Sequence, residues 1–264
     1  MKNYLLALVL VPLMAFVALG AEKLDGQEII NRANLAFHYS GQDMVARVEM
    51  RLVDGGGQTR ERSLSMLRKN LQKGGEQGYF IYFHKPADVK EMTFLVHKFP
   101  DRDDSRWLFL PAINMVRRIA ANDRHSSFVG SDFTYEDVSG RDPSADVHRL
   151  LREESLGGRG CFVVESTPRE DADYARKLSW IDRENFLPLR EEYFDAQNAL
   201  YRVFTADEVK SVQGLPSILR QTMANVKSAH RTTVVYSDLK YNVGLEDKIF
   251  SEGSLRRAPR KWLQ

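Results

Sequence analysis

The sequence predicts a mainly β protein: one antiparallel sheet curled into a barrel or half-barrel, preceded by a single helix. Three observations predict it. Short runs alternating apolar and polar residues recur along the chain, separated by turn-forming clusters roughly every 10–15 residues. Windows with helical spacing are few. The chain has 264 residues but one cysteine, so its stability must come from core burial rather than from disulfides.

The N-terminus reads as a targeting segment. Lys2 precedes an apolar run from Tyr4 to Leu19, and Ala18-Leu19-Gly20 supplies small residues for a cleavage site. The run contains Pro12 and falls short of the ~20 residues that span a bilayer, which argues against a retained anchor. The expectation is a signal peptide over 1–20, removal before Ala21, and a single domain over 21–264. No cysteine lies at the cleavage site, so lipidation there is not expected.

Next comes the helix. From Gly26 to Phe37, Ile29, Ile30, Ala33 and Phe37 fall at helical spacing behind Asp25 as N-cap. Then Met44, Ala46, Val48, Met50 and Leu52 face one way and Arg47, Glu49 and Arg51 the other, a half-buried strand. Asp54-Gly55-Gly56-Gly57 supplies the reversal that starts a hairpin. Strand-like runs follow at 60–69, 78–85, 92–99, 106–110, 115–120, 146–156, 160–167, 175–182, 188–195, 200–206, 219–227 and 231–241. Their separators carry turn residues, as in Pro100-Asp101-Arg102-Asp103 and Gly157-Gly158-Arg159-Gly160. The exception is 121–144, long, rich in Ser, Asp and Gly, and suited to a lid or binding segment. About eleven strands ~4.8 Å apart and tilted ~40° would enclose a slot roughly 10 Å wide, too large to fill with side chains.

Several functions find no support in the residues. Lys and Arg total 38 against 36 Asp and Glu, so no strong field draws the chain to nucleic acid. His38, His84, His97, His125, His148 and His230 are scattered, and Asp101 to Asp104 lack the glycine and distal glutamate of a calcium loop. No metal or cofactor is expected. Asp123-Arg124-His125-Ser126-Ser127 gathers the residue types of a hydrolase, but sequence neighbours rarely converge as a triad and no Gly-x-Ser-x-Gly elbow exists. Catalytic residues are not assigned, and a hydrolase stays a minor alternative. Cys161, inside Cys161-Phe162-Val163-Val164, reads as a buried small hydrophobe.

The motifs Phe83-His84-Lys85-Pro86, Met92-Thr93-Phe94-Leu95, Trp107-Leu108-Phe109-Leu110-Pro111, Arg117-Arg118-Ile119 and Ser127-Phe128-Val129-Gly130-Ser131-Asp132-Phe133-Thr134-Tyr135-Glu136-Asp137 come in that order. Together with Trp180-Ile181-Asp182, Leu187-Pro188-Leu189-Arg190 and Asp247-Lys248-Ile249-Phe250-Ser251, they resemble the outer-membrane lipoprotein-sorting proteins, relatives of the LolA and LolB carriers. The resemblance covers nearly all of 21–264. It implies an unclosed barrel whose helices lid an apolar cavity, a periplasmic location, and lipid or lipoprotein acyl chains as cargo. It also implies transient membrane contact and an inner-membrane exporter of the resistance-nodulation-division type as partner.

On that implied fold, Trp107, Phe109, Leu110, Ile113 and Met115 are expected at the cavity mouth, and Phe128, Phe133 and Tyr135 on the lid-like loop. Arg117 and Arg118 are expected to latch that loop through Asp132, Glu136 or Asp137, or to meet an anionic headgroup. The chain departs from the true carriers in being longer, and no arginine matches their lid-fixing one. A non-transporting adaptor of an exporter is the alternative, and the basic tail Arg256-Arg257-Ala258-Pro259-Arg260-Lys261-Trp262 would suit docking to a membrane or partner.

Overall fold

A computed structural model describes residues 24–263 except 73, 74, 101 and 170. The expected signal segment lies outside the described residues. Helix α1 spans Gly26–His38, with the Asp25 carboxylate accepting from the Glu28 N–H at 2.8 Å. That cap satisfies one of the helix's free amide donors. Ile29 and Ala33 are buried against Phe162, Val164 and Ile181, so the apolar stripe seen in the sequence is the packed face.

All thirteen runs read as strands are strands: β1 Asp43–Val53, β2 Thr59–Asn70, β3 Gln77–Lys85, β4 Thr93–Lys98, β5 Ser105–Leu110, β6 Met115–Ile119, β7 Asp146–Leu156, β8 Arg159–Pro168, β9 Arg176–Asp182, β10 Pro188–Phe194, β11 Leu200–Val212, β12 Leu215–Asn225 and β13 His230–Tyr241. They form one antiparallel sheet in the order β6-β5-β4-β3-β2-β1-β13-β12-β11-β10-β9-β8-β7. The first and last strands meet in the middle, and β6 and β7 are left as the two edges. The sheet is therefore an unclosed barrel. One hairpin is longer than the sequence pattern indicates: β11 runs on to Val212 and β12 starts at Leu215. Its tip, Gln213-Gly214, has φ of 51° and 81°, the positive values a two-residue reversal needs. Gln-Gly is a weaker turn signal than Asn-Gly, and the polar extension lacks alternation.

Strand alternation sends side chains to two faces with different fates. Inner-face residues of β1 to β5 (Val48, Met50, Leu64, Ile81, Phe94) join those of β10 to β13 (Tyr193, Phe204, Met223, Val234) in one cluster, because the sheet wraps round on itself. On the outer face of β2 to β4, Leu67, Phe80 and Leu95 pack under the C-terminal segment through Leu245, Ile249, Phe250 and Leu255. Two devices hold that segment, which includes the short helix α3 (Gly253–Arg256). The Asp43 carboxylate accepts the N–H groups of Val243, Gly244 and Leu245 at 2.7–2.9 Å. Gly78 leaves room for the Phe250 ring, which a Cβ there would approach to 2.5 Å.

The β6–β7 connection, 120–145, does not lie over the barrel as a surface loop. Phe128, Phe133 and Tyr135 enter the inner cluster, with the Phe128 and Tyr135 rings 5.2 and 5.4 Å from Phe94. It includes helix α2, Tyr135–Ser139, started by a capping box in which Thr134 and Asp137 satisfy each other's N–H groups. The segment acts as a plug.

Candidate binding cavity on the inner face

Two adjoining spaces remain between plug, α1 and sheet, and Phe37, His38, Phe133, Asp137 and Gln221 border both. The first is mostly apolar, walled by Val48, Met50, Leu64, Met66, Ile81 and Val234, and holds about 980 Å³ counting its open side. Its enclosed part is about 120 Å³, below the ~300–1,000 Å³ of ligand sites, so a long ligand would have to displace part of the plug or α1. The second, about 860 Å³ on the same basis, is lined with paired charges.

Those pairs are well satisfied. Arg202 bridges Asp137 and Asp173 at 3.0 and 2.9 Å and stacks 4.2 Å from the Tyr193 ring. Burial opposes its charge, but the two carboxylates outweigh it and hold the guanidinium firmly protonated. Glu191 accepts from Lys177 and Ser179, each at 3.0 Å, and from the Tyr193 hydroxyl at 2.6 Å. Burial pushes its carboxyl up, yet Lys177 and these donors bring it below the usual carboxylate range. Such a network stabilises one arrangement strongly, because removing a partner strands a buried charge.

The plug is tied to both halves of the sheet. Arg62 of β2 donates to the Val129 carbonyl. Val129 itself has φ 50°, a strained value for a β-branched residue, held where the chain reverses. From β13, His230 and Thr232 hydrogen bond the Asp132 carboxylate at 2.6 and 2.7 Å. From β4, the Lys98 ammonium donates to the Gly140 carbonyl at 2.6 Å. Gly140 has φ 80°, and a Cβ there would sit 2.6 Å from the His38 ring, so both backbone and space require glycine. The His38 ring is enclosed by α1, plug and cavity. Burial first, then the charges of Lys98 and Arg68, lower its pKa to about 3 and keep it neutral.

The residues expected from the sequence divide. Phe128 and Phe133 line the first space, Tyr135 packs beside them, and Leu110 is half-buried against the same cluster. Trp107 and Phe109 correct the expectation: they pack on the outer face with Val116 beneath the C-terminal segment. The physical reason is strand period, since Leu108 between them points inward. Ile113 and Met115 are 63 % and 42 % exposed at the β5–β6 reversal and line neither space.

The latch is also corrected. Arg117 lies 3.6 Å from Asp123 on the surface, and Arg118 reaches Ser105 at 3.5 Å. Asp132 is held by Thr232 and His230, and Asp137 by Arg202. Glu136 is held by Arg124 and Arg141, each at 3.4 Å. On edge strand β6, Arg117 stands opposite inward-facing Leu108 and Arg118 opposite outward-facing Trp107, and among the described residues neither pairs with Asp132, Glu136 or Asp137. Sequence reading missed Arg62, Arg68 and Arg202. The signal for the first two was present: they share the inward parity of Leu64 and Met66, placing charge on an apolar face.

The remaining motifs find plain roles. His125 lies 3.8 Å from Asp171, and the Ser127 hydroxyl donates to the Ser131 carbonyl at 2.6 Å. Among the described residues no serine hydroxyl hydrogen bonds His125. In the basic tail, Arg256 sits 5.2 Å over the Phe109 ring, and Trp262 joins the outer cluster. Cys161 is fully buried.

A family profile described as "Uncharacterized protein" matches residues 75–257, well over half of the chain. No curated protein matches. Among solved structures, the chain is similar to a DUF1329 family protein from Desulfovibrio piger, with 28% identity over 87% of this chain and 97% of that one and a TM-score of 0.81. It is equally similar to a domain from Vibrio parahaemolyticus described as an outer membrane lipoprotein-sorting protein: 28% identity, 88% and 98% coverage, TM-score 0.81. A LolA superfamily protein from Nitrosomonas europaea shares the fold, at 20% identity, 88% and 99% coverage and a TM-score of 0.69.

Proposed function

We propose, on the premise that this chain belongs to the family whose profile spans residues 75–257, that it is a periplasmic carrier for lipid or lipoprotein acyl chains. The observation that carries this reading is the apolar space between plug and sheet, walled by Met50, Leu64, Met66, Ile81 and Val234. The description of its Vibrio relative as a lipoprotein-sorting domain supports it.

The physics gives such a protein a task. Each buried methylene is worth ~0.8 kcal/mol, so a 16-carbon chain is on the order of 12 kcal/mol less stable in water than in a dry cavity. Unaided transit between membranes is then negligible. A cavity returns most of that energy, and release requires the plug and α1 to reoccupy the space or an acceptor to bind the chain better. The polar network around Arg202 fixes one edge of the plug, and Arg62, His230 and Thr232 tie the edge near Phe128 and Phe133, so the cargo would lie between these anchors. Delivery would involve transient membrane contact, and an inner-membrane exporter would supply or receive the cargo.

The test is mass spectrometry of organic extracts from gently purified protein, paired with uptake of an environment-sensitive fluorescent fatty acid. Co-purified lipid and saturable fluorescence are the expected results. An empty protein that ignores the probe would sink the carrier reading; if it still co-purified with an exporter, an adaptor would replace it.

A further inference from the structure

Arg68 lies on the wall of the apolar space and is 3 % exposed. Its Nη1 and Nη2 donate to the carbonyl oxygens of His38 and Ser40. Its Nε–H has no hydrogen-bond partner, and among the described residues it forms no ion pair. Arg106 and Arg202 share the unpartnered Nε–H but are neutralised, Arg106 by Asp104 at 2.7 Å and Arg202 by two aspartates. Buried Arg62, which forms no ion pair among the described residues, lines neither space. A desolvated guanidinium facing only carbonyls is costly, and proteins rarely leave one so.

The carboxylates nearby are engaged elsewhere: Asp43, whose charge reaches Arg68, accepts the N–H groups of Val243, Gly244 and Leu245, and Asp137 pairs with Arg202. The strand register places Tyr79 and Met44 directly beside Arg68, and Tyr241 beside Met44. Both phenols are engaged, Tyr79 donating to Gln77 at 3.0 Å and Tyr241 hydrogen bonding Ser217 at 2.9 Å. Burial raises the Tyr79 hydroxyl far above its ordinary pKa, so it stays neutral. Buried Lys98 stands on the other side of His38 and donates to the Gly140 carbonyl. Among the described residues the charged side chains lining the apolar space are Arg68 and Asp137, and Asp137 is paired with Arg202.

We propose that the cavity takes a single-chain amphiphile whose anionic head, a carboxylate or a phosphate, seats on Arg68 while its hydrocarbon lies along Leu64, Met66, Ile81 and Val234. This rests on the carrier reading and adds the chemistry of the head. The free Nε–H and a remaining Nη–H form the edge by which a guanidinium receives two oxygens of one anion. A cation at this depth selects for charge, because a neutral head leaves it unpaired while an anion removes the deficit.

The experiment displaces the neutral dye N-phenyl-1-naphthylamine from the wild-type protein with laurate, dodecyl phosphate and dodecanol, each below its aggregation concentration. At least one anion should displace the dye at a tenfold or lower concentration than dodecanol; which anion does so identifies the head. Arg68→Gln should retain dodecanol binding and lose the preference. Equal potency of all three on the wild type overturns the proposal and leaves the carrier reading standing, as does a preference that survives in folded Arg68→Gln. Failure of the dye and all three ligands to bind overturns both. Should Arg68→Gln not fold, the wild-type comparison decides alone.

Discussion

Strands β2 to β4 carry two apolar faces of similar composition, and the protein treats them differently. On the outer face, Leu67, Phe80 and Leu95 are sealed by Leu245, Ile249, Phe250 and Leu255. On the inner face, Leu64, Met66 and Ile81 look into a space that plug and helix only partly fill. Both faces obey strand period, and both exclude water from most of their area. What separates the sealed face from the face that walls a cavity is how the chain covers it. The outer cover is fastened by backbone hydrogen bonds to Asp43. The inner one carries a strained Val129 and is anchored at separate points from opposite sides of the sheet.

The largest effect should come from the sealed face. Phe250→Ala should destabilise the protein by ~3–5 kcal/mol in urea unfolding, while fatty-acid binding per folded molecule stays unchanged. Loss of binding at full stability would erase the distinction between the faces. The inner face should respond in the opposite sense. Met66→Trp, in the half-buried wall of the space, should cut fluorescent fatty-acid affinity tenfold or more at a stability cost of no more than ~1–3 kcal/mol.

A third effect follows from His38 beside that space. Its pKa is lowered to about 3 in the folded state, so between pH ~6.5 and 3 the unfolded chain binds the proton and the native state does not. Stability from this group is complete above pH ~6.5 and declines as pH falls, by on the order of 1 kcal/mol per unit. Unfolding midpoints of wild type and His38→Gln, compared from pH 7 to 5, should converge as the pH drops; parallel curves would remove His38 from the account. The smallest effect belongs to neither face. Arg117→Ala should change stability by less than ~0.5 kcal/mol and leave binding intact, because its contact with Asp123 is exposed at both ends.

The sheet was legible because its signal is local. Alternation such as Met44 to Leu52, and turn clusters such as Asp54 to Gly57, need no knowledge of distant residues. The central motif also held residues of the interior, since Phe128, Phe133 and Tyr135 are buried in the inner cluster. Facing was harder in the short stretch from Trp107 to Met115. Apolar residues there occupy both parities, so the sequence does not say which side the C-terminal segment will cover. The latch failed for a related reason. Arg117 and Arg118 are near the plug in sequence, but Arg62 and Arg202 reach it across the barrel from 67 and 65 residues away. Charge pairing across a curved sheet depends on registers that only the assembled fold defines.

The seam between β1 and β13 has a temporal consequence. The Asp43 carboxylate meets the Val243 N–H across 200 positions of sequence, so this part of the wall cannot be completed until β13 is available. Bringing such distant segments together is entropically slow compared with forming the hairpins on either side. A chain emerging N-terminus first would form its early meander with the inner face still open to whatever surrounds it.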